Sequence, residues 1–85
     1  MKYKDVCTYA EENEVDIVLL ENPRFENSII GISSDDRAIY DLELMIQDLI
    51  AEDNISYEEA LEFIEYNTIR ALSYFENAPI ILQTK

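Results

Sequence analysis

Short apolar stripes alternate with polar exits along the chain, and the spacing of each stripe predicts an element. Tyr3, Val6, Cys7 and Ala10 fall at i, i+3, i+4 and i+7, one face of a helix, and predict a helix over residues 3 to 12 with Glu11 to Glu14 as its polar exit. Residues 15 to 20 are rich in β-branched and aliphatic side chains and stop at Asn22-Pro23, where proline removes a backbone donor, so they read as a strand. Residues 21 to 27 read as a loop, and Phe25, its only large apolar residue, is expected to pin it to the core.

Ile29, Ile30 and Ile32 surround Gly31, and Ala38-Ile39-Tyr40 follows after Ser33-Ser34-Asp35-Asp36-Arg37; two short apolar runs around a Ser/Asp turn predict a β-hairpin. Gly31 is the sole glycine, and inside a strand it marks a bulge or a close backbone approach rather than a binding loop. Asp41 is placed to cap a helix carrying Leu42, Met45, Ile46, Leu49 and Ile50 on one face, running to about Asp53-Asn54. Ser56-Tyr57-Glu58-Glu59 is a capping box that opens a further helix, whose stripe of Tyr57, Ala60, Leu61, Ile64, Thr68, Ala71, Leu72 and Phe75 predicts more than four turns. Ile80-Ile81-Leu82 reads as a last strand after Pro79. The predicted order is α-β-β-β-α-α-β: an α+β fold with a small, mostly antiparallel sheet and two adjacent amphipathic helices packed on one face. The strand order is not readable from this pattern.

The chain has 85 residues, room for a single core, and reads as one acidic globular domain over residues 1–85. Six Lys and Arg stand against nineteen Asp and Glu with no His, giving a net charge of -13, while 48% hydrophobic residues set it apart from a disordered acidic tail. With no His and only Cys7, no Cys/His spacing exists to hold zinc, iron or haem, and no internal disulfide can form. The two N-terminal lysines lack an apolar stretch behind them, and the longest apolar runs fall far short of the roughly 20 residues a membrane helix needs. The expectation is a cytosolic protein. Its charge opposes direct contact with nucleic acid or an anionic membrane.

Enzyme chemistry finds no support in the residues. Asp35-Asp36 and the Glu58/Glu62 pair are the only tight carboxylate groups, and neither has the ligand spacing of a calcium loop or a nuclease cluster. Cys7 has no His partner, Ser33-Ser34 lacks nucleophile-elbow glycines, and one glycine cannot make a phosphate-cradling loop. The expectation is no catalytic residue, no cofactor and no metal.

What remains is the distribution of charge. Between Arg37 and Arg70 there is no basic residue and there are nine acids, laid on the outer faces of the two long predicted helices. On an uninterrupted α-helix Glu58, Glu62 and Glu65 share one narrow sector, spaced by roughly 6 and 4.5 Å along the axis. Like charges at this spacing cost a few tenths of a kcal/mol each, so helix stability does not favour the pattern. The bland explanation is a solvated face of good helix formers; the functional one is a surface for a basic partner built from Asp48, Glu52, Asp53, Glu58, Glu59, Glu62 and Glu65, with Tyr66 as an anchor. Phe63, Tyr66, Ile69 and Tyr74 fall off the core stripe of the same helix, and their burial against the sheet, the first helix or a dimer mate is expected.

At Glu65-Tyr66-Asn67-Thr68-Ile69-Arg70-Ala71-Leu72 and Ala78-Pro79-Ile80-Ile81-Leu82 the chain resembles a group of small acidic proteins encoded in bacterial genomes, prophages and mobile elements. The group brings no activity and no site residues with it, and the resemblance implies a phage or mobile-element setting. Within that setting the acidity suggests a non-enzymatic inhibitor of a basic nucleic-acid-binding host protein, anti-CRISPR-like or a DNA mimic. The alternative is a cytosolic interaction or assembly module, homodimeric through the off-stripe aromatics.

Overall fold

The computed structural model describes residues 1–21 and 23–83. The elements are α1 (Tyr3–Glu12), β1 (Ile29–Ile32), β2 (Ala38–Asp41), α2 (Leu42–Asp53), α3 (Tyr57–Phe63) and β3 (Ile80–Leu82). Beyond α3 the helix continues as a π-helical segment, Ile64–Ile69, and a 3-10 segment, Arg70–Tyr74. The fold is α+β, with helices packed against a three-stranded mixed sheet. No helix among the described residues is long and apolar enough to cross a membrane.

β2 is the central strand, antiparallel to β1 and parallel to β3 in the order β1-β2-β3. One of the two pairings is thus parallel, where a mostly antiparallel sheet was expected. The chain leaves β2 into α2 and returns as β3 only after both later helices, a crossover that makes a parallel partner. The β1–β2 register shifts between Ile29 and Gly31, the bulge that Gly31 signalled. Ser33 and Arg37 close the hairpin: the Ser33 amide donates to the Arg37 carbonyl at 2.8 Å, and Asp36 takes the left-handed conformation.

Alternate residues of β2, Ala38 and Tyr40, are fully buried against Met45, Ile46 and Leu49 of α2 and Ala60 of α3, with Val6 of α1 and Ile64 joining the same cluster. Asp41 ends β2 and caps α2, its carboxylate accepting from the Leu44 amide at 3.1 Å. The Ser56/Glu59 capping box forms at the start of α3. Phe25 is buried in the core, as its loop position required.

Two expectations are corrected. Residues 15 to 20 do not form a strand; Asn22, at the end of that predicted strand, lies outside the described residues. α1 closes in a Schellman motif, the Val15 amide donating to Ala10 and the Glu14 amide to Glu11, with Glu14 left-handed. The chain then runs over the core, where Ile17, Leu19 and Leu20 are half-buried, and the Leu20 amide bonds the Tyr40 hydroxyl at 3.0 Å rather than a strand. The long last helix also changes pitch after Phe63. The Asn67 side-chain amide donates to the Phe63 carbonyl at 3.1 Å, the acceptor an α-helix would give to the Asn67 backbone, and the ladder widens there.

Candidate functional site

The acidic surface is built on α2 and α3, whose apolar faces are committed to the core and whose outer faces therefore point to solvent. Glu52, Asp53, Glu58, Glu59, Glu62 and Glu65 are all exposed, and Asp48 is half-buried. Arg24 forms ion pairs with Glu21 and Glu26, and Arg37 with Asp35; none of these involves Asp48, Glu52, Asp53, Glu58, Glu59, Glu62 or Glu65. Glu59 is occupied by the Ser56 cap, and Asp48 accepts from the buried Ser28 hydroxyl at 3.0 Å.

These residues do not form one line. Asp48 and Glu52 border a cleft of about 320 Å³ beneath residues 23 to 27, where Glu26 joins them opposite Arg24. Glu65 lies on a separate hollow of about 190 Å³ between α2 and α3, beside Glu43 and Tyr57, whose hydroxyl donates to Glu43 at 2.7 Å. Glu58 and Glu62 lie exposed on α3, and Glu65 follows, also exposed, at the start of the π-helical segment, where it borders that second hollow. The chain therefore carries two acid-rimmed concavities and an open acidic face.

Within the single chain, the off-stripe aromatics are not buried against the sheet or the first helix. Tyr66 is 70% and Tyr74 87% exposed, Phe63 and Phe75 are exposed, and only Ile69 is half-buried against the core. Arg70 stacks over Tyr66 with its guanidinium carbon 5.1 Å from the ring centroid. Phe63 is exposed although it lies on the regular helix α3, so the apolar character of these positions, not the helix geometry, suggested burial.

Hydroxyl groups act where basic residues are scarce. Tyr3 donates to Glu21 at 2.6 Å and Tyr9 to Asp36 at 3.0 Å, and Ser33 donates to Asp35. The Tyr3 hydrogen bond holds the Glu21 carboxyl below its ordinary range, and the Ser33 hydrogen bond does the same for Asp35; accepting carboxylates push Tyr3, Tyr9 and Tyr57 up.

Among the described residues no group of three or more His, Cys, Asp or Glu is placed to hold a metal ion, and Cys7 is a free, half-buried thiol. The sequence missed the clefts, because one forms where residues 23 to 27 meet α2 and the other where α2, α3 and Gln83 meet, long-range contacts with no local signature. Fold and surface define an acidic α+β protein with exposed carboxylates on two helices. No family model matches the chain, and neither a curated protein nor a solved structure matches it.

Proposed function

We propose that this is a non-enzymatic acidic binding protein, encoded by a phage or mobile element, that inhibits a basic nucleic-acid-binding host protein in the bacterial cytosol. The observation that carries the reading is the exposed set Glu52, Asp53, Glu58, Glu62 and Glu65, acids with no basic partner among the described residues. Such a surface competes for the Lys and Arg that otherwise neutralise phosphates, with fast association and steep salt dependence. Anti-CRISPR proteins and DNA mimics work on this principle, and here two separated acidic concavities make the mimicry approximate.

Capture from bacterial lysate tests it. The tagged protein is expected to retain a basic nucleic-acid-binding protein at roughly 50 mM salt and release it near 200 mM. Charge reversal at Glu58, Glu62 and Glu65 is expected to abolish retention; a complex indifferent to salt and to that reversal overturns the reading.

The second reading is an assembly module that pairs with its own copy, and the exposed Tyr66, Tyr74 and Phe75 favour it. It predicts a dimer in light scattering that Tyr66→Ala or Phe63→Ala disrupts and the charge reversal leaves intact.

A further inference from the structure

The unpaired segment that replaces the expected first strand forms one wall of an apolar cleft of about 410 Å³. Val18 and Leu20 face Ala71, Leu72 and Phe75 across it, within the size range of ligand pockets. Thr68 also lines the cleft and is only 8% exposed, yet its hydroxyl has no hydrogen-bond partner among the described residues. Thr8, at a comparable helical position, donates back to the Lys4 carbonyl at 3.1 Å. The Thr68 oxygen is not sealed from solvent, so it is free to bond a guest in the cleft.

Pro23 lines both this apolar cleft and the acid-rimmed one holding Glu26, Asp48 and Glu52. In the second cleft Glu26, Asp48 and Glu52 meet a single guanidinium, Arg24, which also pairs with Glu21, so negative charge outweighs positive there. A mainly apolar hollow, with the Thr68 hydroxyl unused and Glu21 and Asn67 on its lining, thus shares a wall with an anionic one.

We infer that the two clefts form one docking site for a basic segment of a partner protein, an aliphatic side chain entering beside Thr68 and the adjacent Lys or Arg lying across Pro23 toward Glu52. The inference rests on the proposed binding of a basic partner and adds where and how that partner is held. Charge chooses the occupant: the field of a chain with net charge -13 repels anionic guests and concentrates cationic ones.

The test is amide chemical-shift mapping on the whole protein with three synthetic probes: acetyl-Leu-Lys-Arg-amide, acetyl-Ala-Lys-Arg-amide and acetyl-Leu-Glu-Glu-amide. The first is expected to shift Leu20, Thr68 and Leu72 together with Glu26 and Glu52, the second to bind about tenfold more weakly without the apolar shifts, and the third not to bind. Ala71→Phe, which fills the cleft, and Thr68→Val, which keeps its shape, are each expected to weaken the leucine probe while leaving the alanine probe unchanged. Shifts confined to Glu58 and Glu62 overturn the docking site and leave the acidic-partner reading standing. No saturable shift with either basic probe overturns both.

Discussion

Glu14, Phe25, Asp36 and Asn54 hold φ between 51° and 60°, while the only glycine, Gly31, does not. The left-handed region costs an ordinary L-residue roughly 1–2 kcal/mol, and Asn and Asp less. Glu14 therefore carries strain that its Schellman hydrogen bonds offset, and Glu14→Gly is expected to raise stability by about 0.5–1 kcal/mol in urea unfolding. Tyr40 is the other decisive residue. Its ring is fully buried and its oxygen accepts the Leu20 amide, tying the irregular segment to the central strand. Tyr40→Phe leaves that amide without its partner and is expected to cost about 1–3 kcal/mol. Burial pushes the Tyr40 hydroxyl from its ordinary 10.0 up to about 12. The unfolded chain releases this proton first, so the contribution is complete below pH 10 and is lost as the pH rises toward about 12. An alkaline unfolding series on the wild type and Tyr40→Phe checks the sign: Tyr3, Tyr9 and Tyr57 still titrate in both, so the wild type should lose more stability than the variant as the pH rises.

Elements with local signals formed as read: α1, the hairpin, the Asp41 cap, the Ser56 capping box and β3 each rest on a spacing, cap or turn within a few residues. Ser56→Ala is expected to destabilise by about 1 kcal/mol, with faster amide exchange in the first turn of α3. The two misread elements lack such signals. Residues 15 to 20 have strand composition, but a strand needs a free neighbour, and here the apolar side chains are used to cover the core while Tyr40 supplies the hydrogen bond. The last helix has continuous 3.6-residue periodicity on its buried side, and only the competition between Asn67 and its own backbone for the Phe63 carbonyl alters the pitch. Of the candidate site, the acids were legible one by one. Their grouping was not, because Asp48 and Glu52 meet Glu26 only through the path of the preceding loop.

Across the whole molecule, a net charge of -13 opposes the compact state through self-repulsion. Salt is therefore expected to raise Tm between roughly 20 and 200 mM, the range over which the screening length falls from about 20 to below 10 Å. The same salt weakens a complex held by phosphate-like contacts, so stability and binding should move in opposite directions, a signature that hydrophobic self-association would not give. The most direct test of the central claim is displacement of labelled duplex DNA from the captured basic protein, titrated with wild type and with the Glu58, Glu62 and Glu65 charge-reversed variant. The account predicts complete displacement by wild type and little by the variant; DNA that stays bound at saturating wild-type protein would contradict it.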